Sequence, residues 1–153
     1  MSEVTPAFRM AGLNDLETLL PFVREFWLIE RLAFVEPAVR RALGGILGDP
    51  DFGRVVAIEL ESLPIGYYVL TLGYSLEHLG RDAFVDELYL REAHRGKGIG
   101  SLALAHAAEL CGQLGVGALH LEVDHSNPRA RALYERTGFV AHERALMTRK
   151  IGP

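Results

Sequence analysis

A chain of 153 residues can close one hydrophobic core, and 49% apolar against 24% charged residues excludes an intrinsically disordered protein. The formal charge of −4 argues against a nucleic-acid partner held by phosphate neutralisation, and no apolar run approaches the roughly 18 residues of a membrane span. The lone Cys111 has no intramolecular disulfide partner, and Met1 to Pro6 carries no basic-then-apolar leader, so a single cytoplasmic domain over residues 1–153, without a membrane partner, is expected.

Ala7 to Ala11 predicts a short initial strand. Asn14 and Glu17 have the spacing of a helix-capping pair, and Leu16, Leu19, Leu20, Val23 and Trp27 recur at helical spacing. Pro21 falls inside this helix, where its missing N–H predicts a kink or a division. A second helix is expected from about Pro37 to Leu47, with Val39, Ala42, Leu43, Ile46 and Leu47 as its stripe and Gly48-Asp49-Pro50 as its stop. Strands follow at Arg54–Leu60 and Ile65–Leu72 with a turn at Glu61–Pro64 between them, then a hairpin loop at Ser75–Arg81 and a strand at Ala83–Leu90. A glycine turn leads into a helix carrying Ile99, Leu102, Ala103, His106, Leu110 and Leu114, with Cys111 read as a buried thiol. Ala118–Val123 predicts a strand, Pro128–Arg136 a helix and Phe139–Ile151 a closing hairpin. The order β-α-α-β-β-β-α-β-α-β-β predicts an α/β (α+β) fold, a mixed sheet covered by helices.

The chemistry centres on Arg95-Gly96-Lys97-Gly98-Ile99-Gly100, followed by Ser101. Strand, glycine turn, helix: that succession aims free backbone N–H groups and the positive end of a helix dipole at one place, where a phosphate is the natural occupant. Glycine permits the close approach and the positive φ, while Arg95 and Lys97 add charge at the rim. The stretch fails the P-loop pattern because Lys97 is followed by Gly98, and it fails the dinucleotide fingerprint because Ser101 stands where the third glycine belongs. A bare tight turn is the competing explanation.

Arg95, Gly98 and Gly100 fit Arg-x-x-Gly-x-Gly, which resembles the coenzyme A diphosphate loop of the GNAT superfamily of N-acetyltransferases. The resemblance extends through Leu121 to Asn127 and on to Leu133-Tyr134-Glu135-Arg136-Thr137-Gly138-Phe139; it is close over the C-terminal half and holds in element order over the rest. It implies a GNAT-like, mostly antiparallel sheet, acetyl coenzyme A as cosubstrate, and transfer of acetyl to a small-molecule or peptide amine by direct attack, with a homodimer as an admissible assembly. It also implies that Gly96, Lys97, Ile99 and Ser101 share the diphosphate loop, and that the backbone of Leu88, Tyr89 and Leu90 holds the acetyl-pantetheine arm and supplies the oxyanion donor.

An alkyl ammonium, with a pKa near ~10.4, must lose a proton before it attacks, and the departing thiolate must gain one. Tyr134 is the candidate acid: Asn127 is a good N-cap, Tyr134 lies seven residues beyond it on the same helix face, and the resemblance implies a hydroxyl beside the coenzyme sulfur and Asn127 near the pantetheine. Asp86-Glu87, adjacent in an otherwise apolar strand, supply the base; alternation turns at most one to the substrate unless a bulge intervenes. The resemblance favours Asp86, then Glu87, with Glu122 matching the base of a protein-acetylating branch. Arg131, among several arginines between residues 128 and 150, is a candidate phosphate contact.

His78, His94, His106, His120, His125 and His142 show no metal-ligand spacing, and no metal is expected. Glu77, Asp82, Asp86 and Glu87 against Arg81 make an acidic stretch, either a solvated loop or a rim suited to cationic acceptors: a polyamine, an aminoglycoside, a lysine side chain or an N-terminal amine. The topology that the resemblance implies would bring Glu25 and Glu30 to the same rim. Two other readings stay open: a coenzyme A-binding or sensing module without transferase activity, and a nucleotide-binding domain in which Glu122 or Asp124 stands in for the ribose acid.

Overall fold

The structure, a computed structural model, describes residues 5–152; Met1 to Val4, part of the stretch read for a leader, lie outside the described residues. The chain divides after Glu122 into two units, taken in turn.

In the first unit, β1 (Ala7–Met10) leads through a 3-10 turn at Leu13–Asp15 into α1 (Leu16–Ile29). The expected Asn14–Glu17 cap does not form. Instead the Gly12 N–H donates to Asp15 Oδ2 at 2.8 Å, and Arg9 holds the same carboxylate at 2.9 Å. That arginine bond is the main reason the Asp15 carboxyl sits below the usual carboxylate range. Pro21 does not divide α1. Pro21 and Glu17, the residue whose carbonyl it leaves without a helical partner, are both exposed, so water can take that bond.

α2 (Glu36–Gly48) is followed by β2 (Gly53–Leu60), β3 (Leu63–Ser75) and β4 (Gly80–Leu90), then α3 (Ile99–Gln113) and β5 (Ala118–His120). The turns are tighter than expected. Glu61 and Ser62 alone join β2 to β3, both at positive φ, and Pro64 already belongs to the ladder opposite Glu59. The sheet order is β1-β2-β3-β4-β5, antiparallel except for the parallel β4–β5 pair. Leu19, Leu20, Phe22 and Val23 of α1, with Val39 and Leu43 of α2, pack on Val55, Ala57, Tyr67, Val69 and Tyr89. The other face carries Val56, Ile58, Tyr68, Leu70 and Ala83, covered by Ile99, Ala103, Ala107, Leu110 and Cys111 of α3. Cys111 is a buried free thiol, as read from its helical position.

Two irregularities in β4 shape everything that follows. Val69 pairs with Glu87 and Leu70 with Val85, so Asp86 is an extra residue, a β-bulge. β5 pairs only with Asp82, Ala83 and Phe84, ending at His120 and not at Val123 as expected. From Val85 to Leu90, β4 therefore has an open edge among the described residues.

In the second unit, α4 (Pro128–Arg136) starts where expected: Asn127 Oδ1 accepts the Ala130 N–H at 3.1 Å, with Pro128 in the first turn. The Tyr134 and Phe139 rings meet edge-on at 6.2 Å, and the Phe139 N–H returns to the Tyr134 carbonyl. The two strands expected between Phe139 and Ile151 are not formed among the described residues. Val140, Leu146, Met147 and Ile151 are all exposed there, and a hairpin without a covered face is marginal in water.

Candidate active site

The glycine turn opens with Gly96 at φ +73° and closes with Gly98 at φ +82°, the N-cap of α3. Left-handed backbone at both positions is what glycine supplies at least cost. No side chain caps α3. Its first bond closes from the Leu102 N–H to the Gly98 carbonyl, leaving the amides of Ile99, Gly100 and Ser101 without helical partners. Lys97 is exposed at the rim. Arg95 is not aimed at the turn: its Nε–H donates to the Leu90 carbonyl at 2.8 Å, and its guanidinium lies over the Tyr89 ring at 5.6 Å.

The phase of the ladder decides which groups β4 presents at its open edge. The Arg91 N–H donates to the Ile65 carbonyl, and Tyr89 sits opposite Tyr67 two residues earlier, so Tyr89 keeps its backbone groups for β3. Leu88 and Leu90 turn theirs outward. Of the three residues expected to offer backbone donors, Tyr89 has its backbone groups committed to β3.

The bulge breaks the alternation on which the sequence reading relied. Glu87, opposite Val69, lies on the α1 face, and the charge of Asp86 acts on both Glu87 and Tyr67. The Glu87 carboxylate is pinned there: the Trp27 Nε1–H and the Tyr67 hydroxyl each donate to it at 2.8 Å. Burial pushes its carboxyl above the usual range, these two bonds oppose the rise, and the Asp86 and Glu30 charges add to it. Asp86 accepts no hydrogen bond from the described residues. It opens to solvent in a shallow cleft lined by Phe84, Val85, Asp86 and Glu122, yet desolvation by the surrounding protein raises its carboxyl too.

Other parts of the expected acidic rim are engaged. Asp82 Oδ2 lies 3.2 Å from His120 Nε2, and His120 stacks between His78 and Phe84 at ring distances of 4.8 and 4.9 Å. Glu25 accepts from the Tyr89 hydroxyl and from Arg91 Nε at 3.3 and 3.2 Å. His106, read as part of a helical stripe, lies 2.7 Å through Nδ1 from the Tyr68 hydroxyl. No group of three or more His, Cys, Asp or Glu that could hold a metal exists among the described residues. In the second unit Arg131 pairs with Glu135 at 2.9 Å. Trp27 and Tyr67 are the residues sequence reasoning missed. In the sequence Trp27 is one member of a helical stripe and Tyr67 lies unmarked within the strand expected over Ile65–Leu72; only the register, which sets Tyr67 opposite Tyr89 on the face of Glu87, marks them as carboxylate partners.

A five-stranded, mostly antiparallel sheet flanked by helices, with β4 opening into a glycine-turn helix, defines an acyltransferase scaffold. Residues 17–139 match the acetyltransferase (GNAT) family, and the chain belongs to that family. It is 29% identical to the thialysine N-epsilon-acetyltransferase of Bos taurus over 141 residues, spanning 85% of this chain and 81% of that one. An integron cassette protein from the mobile metagenome of Cole Harbour Salt Marsh superposes with a TM-score of 0.85 at 36% identity, covering 95% of this chain and 91% of its own. An aminoglycoside N-acetyltransferase in complex with CoA shares the fold, with a TM-score of 0.81 at 14% identity and 97% coverage of both chains. Proteins of this fold use acetyl coenzyme A. No helix among the described residues is long and apolar enough to cross a membrane.

Proposed function

We propose that this chain, acting as one domain, moves an acetyl group from acetyl coenzyme A to a cationic primary amine by direct attack in a ternary complex. The observation that carries the reading is the bulge: it sets an unbonded carboxylate, Asp86, beside a pinned one, Glu87, at the start of the open edge of β4. Their joint negative charge, with Glu30 near Glu87 and Glu122 in the same cleft, favours a cationic acceptor. Relatives named for thialysine and for aminoglycosides support that class.

In this mechanism the unpartnered amides of Ile99, Gly100 and Ser101, with Gly96, Lys97 and Gly98 beside them, bind the coenzyme diphosphate. The outward backbone groups of Leu88 and Leu90 receive the pantetheine arm as an added strand, with Asn127 near it. Asp86 takes the proton from the acceptor ammonium, and its raised pKa brings it nearer to neutral pH than an ordinary carboxylate. Glu87 anchors positive charge on the acceptor. As nitrogen bonds to the acetyl carbon, an N–H of Leu88 or Leu90 donates to the oxyanion, a contact worth on the order of 3 kcal/mol in comparable sites. As the carbon–sulfur bond breaks, the Tyr134 hydroxyl gives its proton to the sulfur, and the second proton of the former amine, shed as the neutral amide forms, returns through water to the tyrosinate.

A cytoplasmic location belongs to the same proposal, supported by the unpaired, buried Cys111. So does a homodimer, supported by Leu28, Ile29, Leu32 and Val35, exposed apolar residues at and beyond the end of α1. The test is thiol release from acetyl coenzyme A across an amine panel, followed by mass spectrometry of the product. Acetylated diamines, aminoglycosides or lysine derivatives are expected. Coenzyme binding without transfer to any amine would replace the transferase by a sensing module.

A further inference from the structure

Arg95 has a geometry that its place in the glycine turn does not explain. A cation next to an anion site is expected to face the anion, yet this one faces away from it. Its Nε–H donates to the Leu90 carbonyl at 2.8 Å, and its guanidinium carbon lies 5.6 Å from the centre of the Tyr89 ring. Its own N–H closes back on the Glu92 carbonyl at 3.2 Å. The Leu90 carbonyl is one of the outward-turned groups of β4, without a partner on β3. Tyr89 is itself fixed: its ring contacts Phe22 and Phe26, and its hydroxyl donates to Glu25, which also receives Arg91. Arg95 therefore joins the last residues of β4 to the first residue of a turn that has two left-handed glycines and no side-chain cap.

We infer that Arg95 is a positioning residue: its side chain braces the glycine turn against Leu90 and Tyr89, so that the amides of residues 96–101 are held convergent before any ligand arrives. Two glycines make the turn permissive, and a permissive turn must lose conformational freedom when it closes on an anion. The brace removes part of that freedom in the free protein. It also occupies the last outward carbonyl of β4, so that of Leu90 only the N–H stays open to an added strand. This inference rests on the reading of the turn as a diphosphate site.

The test compares Arg95→Ala and Arg95→Gln with the wild type in two measurements. Backbone order parameters of residues 96–101 are read by nitrogen-15 relaxation in the free protein, and coenzyme A affinity is read by calorimetry together with steady-state kinetics. A brace predicts order parameters that fall from the rigid range of about 0.85 toward about 0.6 in the alanine variant, and coenzyme affinity weaker by about tenfold, the scale of one charge-assisted bond. KM for acetyl coenzyme A rises while kcat at saturation stays within about twofold. Glutamine, uncharged but able to donate to the Leu90 carbonyl, restores most of both. Unchanged order parameters in Arg95→Ala overturn the brace. So does a glutamine variant that holds the turn rigid but binds the coenzyme as poorly as alanine, because charge on the ligand would then be the operative contact. Wild-type protein that binds no coenzyme A removes the diphosphate reading, and the order-parameter comparison still decides the brace.

Discussion

Replacing Tyr67 by Phe deletes one oxygen from the fully buried side of the candidate site and leaves the ring to pack as before. That oxygen donates to Glu87 at 2.8 Å, and the Trp27 bond survives the substitution. While Glu87 is ionised the lost bond is charge-assisted and worth about 2 kcal/mol; once Glu87 is protonated the bond is a neutral one, worth about 1 kcal/mol. For a chain of this size 1 kcal/mol lowers Tm by about 2–4 °C. Tyr67→Phe should therefore lose about 4–8 °C near pH 8 and about 2–4 °C near pH 4. The sign follows from linkage. The Glu87 carboxyl is raised in the fold, chiefly by burial, so its favourable contribution is present below the ordinary carboxylate value and is lost as pH rises through the raised one. Removing a donor that favours the carboxylate raises it further, and the variant falls behind the wild type as pH increases. Thermal unfolding of both proteins across that range, followed by circular dichroism, reads the difference directly. An equal drop at both ends, or a larger one in acid, would show that the hydroxyl does not stabilise an ionised Glu87.

Asp86→Asn should lower the acetylation rate by on the order of 10²–10⁴ and abolish the limb on which wild-type activity rises with pH through a carboxyl raised above its usual range. A limb that persists in the variant moves the base to Glu122. The same variant should melt no lower than wild type near neutral pH, because the cost of desolvating an ionised Asp86 disappears; a clear fall in Tm would contradict the cause given for the raised pKa. Tyr134→Phe should reduce kcat while coenzyme affinity stays unchanged, and unaltered kcat would dismiss the acid role. Gly98→Ala meets no neighbouring atom within 4 Å, but its φ of +82° is costly for alanine by about 1–2 kcal/mol. It should raise KM for acetyl coenzyme A with little effect on kcat, and a KM equal to wild type would place the diphosphate elsewhere.

The helices and most strands were legible because their signal is local. Val39 and Leu43 lie on the buried stripe of α2, Asn127 and Pro128 announce α4, and Arg95 to Gly100 announce the glycine turn that opens α3. Of the two outcomes expected at Pro21 the division does not occur, because a proline's cost depends on whether the orphaned carbonyl reaches water, which a sequence does not state. The hairpin expected from Phe139 to Ile151 misled for a related reason: such a pair is stable only where something covers one face, and Val140, Leu146, Met147 and Ile151 are exposed.

The site shows the sharper limit. Alternation counts residues along one strand, whereas a bulge is a mismatch between two strands and belongs to neither sequence alone. Asp86-Glu87 reads as one inward and one outward carboxylate until β3 is laid beside β4 and found one residue short. Only then do Trp27 and Tyr67, from a helix and a neighbouring strand, come to hold Glu87 while Asp86 is left without a hydrogen bond. The difference between an anchored Glu87 and an unbonded Asp86 is thus set by register, and so is the division of labour proposed for them. A substitution that shifts the register at Val69 or Leu70 should disable both acids without touching either. Inserting one residue between Val69 and Leu70, which would give Asp86 a partner and restore alternation, is the sharpest form of that test: a folded but inactive variant is expected, and a folded variant of wild-type activity would show that the bulge has no part in the chemistry.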